Sequence, residues 1–307
     1  MRVHYKSPVL PVFKNAVITI GTFDGVHMGH RQVLEKLKQQ AIKADGESVL
    51  ITFDPHPRKI VQTSSQPVKL INTLEEKIAL LEEFGIDHLV IIEFTPAFAE
   101  QSAEEYIRDF LIRQFIPHTI IIGYDHRFGK NRSGDFHLLE KMSEIYKYSL
   151  IEITARELND IKISSTRIRE ALIKGNMTDA NRLLGYLFFF SGEVVHGEKL
   201  GRKLGYPTAN LKIKESEKII PADGIYAVYA ETGGIKYKGM MSIGYRPTMN
   251  GTDKVIEINL FDFNEQIYGS IIKVSVKKYL RPEIKFSSTL ELTKQIDEDK
   301  KASLNIL

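Results

Sequence analysis

The sequence predicts a mixed α/β protein in two parts: a doubly wound parallel sheet, then a small antiparallel β-barrel with a terminal helix. Strand-like and helix-like segments alternate up to about Tyr186, as they do where helices cover both faces of a parallel sheet. Beyond that point short strand-like runs follow one another with turn signals and little helix between them, the pattern of a small barrel. The 307 residues suffice for two ordinary domains, and 43% hydrophobic with 26% charged residues is the composition of a soluble globular chain.

In the first part Val17–Ile20, Ser48–Phe53, His88–Phe94, Thr119–Gly123 and Leu150–Ile153 are the candidate strands. The first helix, Arg31–Ala44, carries Leu34, Leu37, Ala41 and Ala44 at helical spacing; Leu74–Phe84, Ala103–Phe115 and Phe136–Tyr146 are amphipathic too. In the second part Leu187–His196, Ile225–Tyr229, Tyr237–Ile243, Val255–Phe261 and Ile271–Val276 read as strands. Asp223-Gly224, Gly233-Gly234 and Asn250-Gly251 supply turns between them. Ser287–Leu307 reads as a closing helix, capped by Ser287 or Ser288, with Leu290, Leu292 and Ile296 available for burial. The domain boundary falls near Gly185, dividing 1–185 from 186–307. No internal repeat or low-complexity segment is visible.

Composition excludes several classes. Without cysteine there are no disulfides or thiolate metal sites, which fits a reducing, cytoplasmic setting. The N-terminus lacks the apolar stretch of a signal peptide, and no apolar run approaches the ~20 residues that span a bilayer. A net charge of +3 and a pI near 8.7 are mild, so charge alone does not separate anionic small molecules from nucleic acid.

The stretch Gly21-Thr-Phe-Asp-Gly-Val-His-Met-Gly-His30 lies between the first strand and the first helix. A glycine-bearing turn of this kind presents backbone N–H groups and a helix N-terminus to phosphate, with His27 and His30 beside it. Ligands of open parallel sheets bind at the carboxyl ends of strands, and two other segments follow strands directly. Phe53-Asp-Pro-His-Pro57 fixes His56 between two prolines that hold the backbone extended. Gly123–Gly134 carries three cations and three glycines. Ile163-Ser-Ser-Thr-Arg-Ile-Arg169 adds hydroxyls at Ser164, Ser165 and Thr166, with the forked donors of Arg167 and Arg169 for a polyphosphate. Taken singly, Asp-Pro-His-Pro is a rigid turn and Ser-Ser-Thr a helix cap. Together, in this order, they form a site for nucleotidyl transfer, which needs mainly positioning and charge neutralisation. Neither a P-loop nor a G-x-G-x-x-G fingerprint is present.

Gly21–His30 resembles the HxGH signature of the nucleotidylyltransferase superfamily, and Ile163–Arg169 resembles its second signature, ISSTxxR. With Phe53–Pro57 and Gly123–Gly134 added, the first half is similar to the bacterial bifunctional riboflavin kinase/FMN adenylyltransferase (FAD synthetase) family. The resemblance implies a nucleotidylyltransferase-type sheet that joins FMN to the AMP part of ATP, giving FAD and pyrophosphate with Mg²⁺. It assigns Gly21, Phe23, Asp24, His27, His30 and Ser164 to Arg169 to ATP, with His27, His30 and Arg167 as catalytic. His56, Asp125, Phe128 and Arg132 would lie near FMN. One departure is His126, where the family carries an aromatic residue after the acidic or amide residue of the third loop.

The second half has its own cluster. Gly192–Gly205 is glycine-rich and basic, its four glycines with Lys199, Arg202 and Lys203 making a loop able to approach phosphates closely, and Gly192, His196, Gly197, Lys199, Arg202 and Gly205 are the candidate nucleotide contacts. It runs into Tyr206-Pro-Thr-Ala-Asn210, where Thr208 and Asn210 face one side if the segment is extended and offer hard oxygen ligands to Mg²⁺ carried by a nucleotide. Glu257 stands in an apolar strand, where an outward-facing carboxylate and a general base are both readings of the pattern. These segments, with Pro221–Val228, Met241–Thr248 and Arg281–Phe286, resemble in order the riboflavin kinase module of the same family. That resemblance implies Thr208 and Asn210 at the metal and phosphates, Glu257 activating the ribityl 5′-hydroxyl of riboflavin, and Arg281 to Phe286 covering the flavin. The departure here is Asn259, where the family has His in a Glu-x-His pattern.

The resemblance spans nearly the whole chain and implies two steps, riboflavin to FMN and FMN to FAD, with riboflavin, FMN and ATP as small-molecule substrates. An alternative is FMN adenylylation alone beside a flavin-binding but kinase-inactive barrel, for which Asn259 is the one feature. A flavin-sensing or RNA-contacting protein is a third reading. No lysine-rich strip with interleaved aromatics supports nucleic-acid binding, and nothing points to a membrane. A pure interaction scaffold leaves both polar clusters unexplained. Whether the chain forms a homo-oligomer is not encoded in these motifs.

Overall fold

β-Branched apolar runs build the first half around a six-stranded, all-parallel sheet. A computed structural model describes residues 1–6, 9–61, 68–154, 163–197, 200–248 and 251–307. Its strands are β1 (Arg2–Tyr5), β2 (Val17–Ile20), β3 (Ser48–Asp54), β4 (His88–Glu93), β5 (Thr119–Gly123) and β6 (Ser149–Ile153), in the order β1-β4-β3-β2-β5-β6. Between them run α1 (Met28–Lys43), α2 (Pro57–Val61), α3 (Leu74–Glu82), α4 (Pro96–Ala99), α5 (Ala103–Glu105), α6 (Arg113–Phe115) and α7 (Phe136–Tyr146). The strands near the centre are buried on both faces, which is why β2 and β3 read as continuous apolar runs. Edge strand β1 is short and largely exposed, with only Val3 and Tyr5 alternating with polar residues.

The helix expected over 103–115 is realised as α5, a π-helical segment Tyr106–Ile112 and α6. A reciprocal Ser102–Glu105 capping box starts it. Its Tyr106, Ile107, Phe110 and Leu111 join Ile18, Val49, Ile51 and Ile120 in one buried cluster against the sheet. The chain leaves β2 for β3 on one side and later returns to β5 on the other. The carboxyl ends of β3, β2 and β5 therefore flank the switch in strand order, where such sheets bind ligands.

The second half comprises α8 (Ser165–Ile173), α9 (Met177–Leu184), β7 (Phe189–Val195), α10 (Leu200–Lys203), β8 (Ala209–Lys212), β9 (Gly224–Thr232), β10 (Ile235–Thr248), β11 (Gly251–Leu260), β12 (Ile271–Arg281) and α11 (Thr289–Ile306). The six strands close an antiparallel barrel in the order β10-β11-β8-β7-β12-β9. Gly233-Gly234 forms the β9–β10 turn, and Gly251 pairs with Thr248 across residues 249–250, which lie outside the described residues.

Contacts divide the chain into two compact units, Met1–Val68 with Leu74–Ser164, and Lys69–Thr73 with Ser165–Leu307. Gly185 is the left-handed C-cap of α9. The pair α8–α9 groups with the barrel because its polar ends are bonded there: Asn181 Nδ2 donates to Val276 O, and Ala222 N donates to Leu172 O. The terminal helix is capped by Ser288, whose Oγ accepts from Glu291 N. Leu292 and Ile296 are half-buried, but Leu290 is 81% exposed, contrary to the sequence expectation. The face of α11 that faces inward instead buries Asp299 and Ser303, because Asp299 meets a cation of the barrel. Among the described residues no helix is long and apolar enough to cross a membrane.

Candidate active sites

The turn from β2 into α1 holds the Gly21–His30 signature. Its backbone is tightly folded, with φ of 46° at Phe23, 90° at Gly25 and 34° at Val26. A β-branched residue seldom adopts positive φ, so the surrounding fold holds this turn against about 1 kcal/mol or more of strain. His27 caps α1, its Nδ1 accepting from the His30 backbone N at 3.3 Å. The two imidazoles stack 3.6 Å apart and 13° from parallel, with Phe23 against His30 at 4.7 Å. Burial above all, then His27 and Lys77, hold His30 well below the usual histidine range, so it is neutral. Its Nδ1 is shielded from solvent and has no hydrogen-bond partner among the described residues, an atom that a ligand oxygen would satisfy. Gly21, Phe23 and Asp24 complete the turn, the last two buried; a Cβ at Gly21 would lie 2.9 Å from the Phe23 ring.

The other two loops lie at the ends of the neighbouring strands. In Phe53–Pro57 the Asp54–Pro55 peptide is cis, and Pro57 opens α2 rather than continuing an extended segment, a correction to the sequence reading. The reason is that a proline's missing N–H and fixed φ suit the first position of a helix. His56 Nδ1 accepts from Arg58 N at 3.2 Å, which sets the orientation of that ring. In the third loop Phe128 and Gly134 exchange backbone hydrogen bonds, and a Cβ at Gly134 would come within 2.3 Å of the Phe128 ring. His126 stacks on Phe128 (5.8 Å, 30°), and Phe128 on Tyr106 (5.0 Å, 28°). Burial lowers the His126 pKa to about 4 against the opposing pull of Asp125, with Arg132 and Arg127 adding to the fall. Asp125 and Arg132 themselves are exposed.

The second signature begins against the first: Ile163 Cβ lies 3.9 Å from where a Gly29 Cβ would sit. Ser164 is exposed at the end of the first unit, while Ser165, Thr166, Arg167 and Arg169 lie in α8 of the second. Within that unit Arg169 Nε donates to Lys69 O at 2.7 Å.

The barrel gathers the other cluster by register. Glu257 on β11 is the antiparallel partner of Asn210 on β8, which is in turn the partner of Val195 on β7. Directly opposed residues share a face, so the Glu257 carboxylate and the Asn210 amide project on the same side of the sheet. A Cβ at Gly197 would fall 2.3 Å from Asn210 Nδ2, so only glycine lets this loop lie on the amide. A cavity of about 580 Å³ opens here, lined by His196, Gly197, Asn210, Lys212, Ile213 and Lys254. His196 stacks on Tyr268 at 4.0 Å. Thr208, half-buried, immediately precedes β8, and its Oγ1 would lie 3.4 Å from a Gly201 Cβ. Gly192 is buried in β7, and Arg202 is exposed in α10, which leads to Gly205. Lys199 lies outside the described residues.

At the far end of β12 Arg281 is committed. Its Nε and Nη2 form a bidentate pair with Asp299 (2.9 and 2.6 Å), and its Nη1 donates to Pro282 O. Phe286 is half-buried beyond it. Asn259, where the family has His, is buried and donates from Nδ2 to Pro207 O at 2.7 Å, beside Thr208. Sequence reasoning overlooked Lys77, Tyr106, Tyr268 and Lys254. Only Lys77 left a signal, a charge on the face of α3 that also presents Leu80 and Leu81.

An HxGH turn at the switch point of a parallel sheet, followed by a polar-clustered six-stranded barrel, defines a nucleotidyl-transferring enzyme with an appended second module. The FAD synthetase family model matches residues 11–167 and the riboflavin kinase family model matches residues 184–307. The bifunctional riboflavin kinase/FMN adenylyltransferase of Bacillus subtilis is 38% identical, covering 94% of this chain and 92% of that protein. Its Escherichia coli K12 counterpart is 37% identical over 93% and 91% of the two. A solved structure described as a macrolide-efflux protein from Streptococcus pneumoniae matches with a TM-score of 0.85 at 32% identity, covering 97% of this chain and 95% of that one. The chain belongs to the bifunctional riboflavin kinase/FMN adenylyltransferase family.

Proposed function

We propose that the two activities of this enzyme, riboflavin kinase and FMN adenylyltransferase, are run by the side chains of the two clusters. The observation that supports this is that the riboflavin kinase match contains the whole barrel cluster, while the FAD synthetase match contains Gly21–His30, Phe53–Pro57, Gly123–Gly134 and the start of the second signature. In the barrel, Glu257 takes the proton of the riboflavin 5′-hydroxyl as that oxygen attacks the γ-phosphate of ATP; FMN forms and ADP leaves. Gly192, His196, Gly197, Lys199, Arg202 and Gly205 border the nucleotide, and Arg281, held by Asp299, shapes the flavin end with Phe286.

In the parallel-sheet module the FMN phosphate attacks the α-phosphorus of ATP, and the bond to the departing pyrophosphate breaks. Arg167 neutralises the charge that develops, and His27 and His30 stabilise it as hydrogen-bond donors. Gly21, Phe23, Asp24, Ser164, Ser165, Thr166 and Arg169 hold ATP, while His56, Asp125, Phe128 and Arg132 meet FMN, with neutral His126 offering a flat ring. The functional boundary follows the sequence division at Gly185, and we place the enzyme in the cytoplasm.

Thr208 and Asn210 supply one hydroxyl and one amide oxygen. Among the described residues no cluster of three His, Asp or Glu side chains is set to hold a metal. Such a small set of hard donors fits Mg²⁺ that arrives on the nucleotide, where the ion offsets phosphate charge. A kinase-inactive barrel drew its support from Asn259 alone, and that amide is engaged in holding the Pro207 carbonyl beside Thr208.

The deciding assay supplies ATP and Mg²⁺ with either riboflavin or FMN. Glu257→Gln is expected to abolish FMN formation and spare FAD formation from supplied FMN, and His30→Ala to do the reverse. Loss of both activities in either variant would refute the assignment of separate clusters.

A further inference from the structure

Lys77 lies in neither signature, yet it is buried to 7% exposure on the apolar face of α3. An ammonium that deep requires partners. Its Nζ donates to Thr22 O at 3.0 Å and to Thr52 Oγ1 at 3.4 Å, and Thr52 Oγ1 itself donates to Thr22 O at 3.2 Å. Two donors, one from α3 and one from β3, thus converge on the carbonyl immediately before Phe23. That carbonyl belongs to the turn whose next residues include positive φ at Phe23 and Val26. Burial lowers the Lys77 pKa below the usual lysine value, while Asp24 in the turn and Asp54 at the end of β3 pull toward the charged ammonium. Lys77 in turn acts on His30 together with His27.

We propose that Lys77 is a positioning residue for adenylyl transfer: it pins the Thr22 carbonyl, holds the strained turn that carries His27 and His30, and places a fixed positive charge behind the phosphate-receiving face. The proposal rests on the adenylyltransferase reading of that turn. A donor anchored in a helix restrains the turn without occupying the face on which a ligand would sit. A fixed cation there also favours the charge that develops on the departing pyrophosphate, without reorganising during the reaction.

Lys77→Met keeps the unbranched apolar stem and removes both the donor and the charge. It is expected to lower kcat for FAD formation from FMN about 10- to 100-fold, the usual effect of losing alignment, with the KM for ATP changed by less than about threefold. The acidic limb of the adenylylation pH profile is expected to move to higher pH, because the imidazoles lose a neighbouring cation while Asp24 and Asp54 remain. Riboflavin phosphorylation by the same protein should stay within about twofold, and Lys77→Arg should recover part of the rate. An unchanged adenylylation rate and acidic limb in Lys77→Met would overturn the proposal. If that variant loses both activities through misfolding, Lys77→Gln replaces it, with the same expected and overturning results. Wild-type protein that forms no FAD from FMN would instead overturn the underlying reading.

Discussion

At the scale of single residues, His126 shows how a departure from the family pattern can be absorbed. A histidine would make a poor flavin platform if it were charged, but this ring titrates at about 4. It is therefore neutral at pH 7 and lies on Phe128, itself stacked on Tyr106. His126→Ala is expected to raise the KM for FMN in adenylylation roughly fivefold, consistent with an aromatic contact of about 1 kcal/mol. His126→Phe should hold it near the wild-type value, and riboflavin phosphorylation should change in neither. Equal effects of Ala and Phe would remove the ring from the flavin site. The same lowered pKa fixes a pH dependence of stability. The unfolded chain protonates His126 near pH 6.5 whereas the folded chain resists until about 4, so its contribution is complete above 6.5 and is lost as pH falls toward 4. His30 acts in the same direction. Thermal unfolding followed from pH 7 to 4.5 should show a falling midpoint, and His126→Phe should flatten the fall.

At the scale of elements, α11 is attached to the barrel by a charge pair. Arg281 at the end of β12 meets Asp299, whose side chain is 7% exposed and also accepts from Gln295 Nε2. Breaking a buried pair from one side leaves the other charge stranded, at a cost of about 3–5 kcal/mol. Asp299→Ala should therefore release the helix, lower the thermal midpoint and raise the KM for riboflavin; a midpoint within a degree of wild type would show that the pair adds no stability. This anchor was not legible in the sequence. The apolar residues Leu290, Leu292 and Ile296 indicate a helix, yet Leu290 faces water and a carboxylate faces inward, because Arg281 approaches from the end of the preceding strand. The parallel strands were legible nearly to the residue where they are central and apolar, as in β2 and β5. Edge strand β1, Arg2–Tyr5, alternates only Val3 and Tyr5 with polar residues, a pattern too short to read as a strand. The π-helical turn at Tyr106–Ile112 lies within a correctly expected helix, since hydrophobic spacing does not distinguish one hydrogen-bond offset from another. For the sites the pattern was similar. Short motifs with rigid local geometry, such as Gly21–His30, announced themselves, whereas Lys77 and Tyr268 act through contacts that only folding creates.

At the scale of the whole molecule, sequence order and compact units do not coincide. Lys69–Thr73 is flanked in the chain by residues of the parallel-sheet unit, yet it is bonded into the other one. Leu70 forms a parallel bridge with Lys218: its N donates to Glu217 O and its O accepts from Ile219 N, both at 2.8 Å. Lys218, itself 3% exposed, donates from Nζ to Ile71 O at 2.6 Å while facing the Phe188 and Phe189 rings. Tyr186 OH adds a bond to Asn72 Oδ1, and Arg169 of the second signature is held by Lys69 O. A five-residue strap from the first half of the sequence thus completes the hydrogen bonding of the kinase-bearing half. Ile71, fully buried in that strap, is the position at which the dependence can be read. Replacing it with Ala removes a buried aliphatic side chain, a loss of about 2–5 kcal/mol, and spares every backbone bond of the strap. Kinase activity reports on the unit that holds the strap. Heating Ile71→Ala and assaying both reactions over time should show kinase activity lost faster than in the wild type, and adenylylation of supplied FMN lost faster as well, because Ser165, Thr166, Arg167 and Arg169 belong to the same unit as the strap. Faster loss of adenylylation alone would assign the strap energetically to the parallel-sheet unit, against its hydrogen bonding.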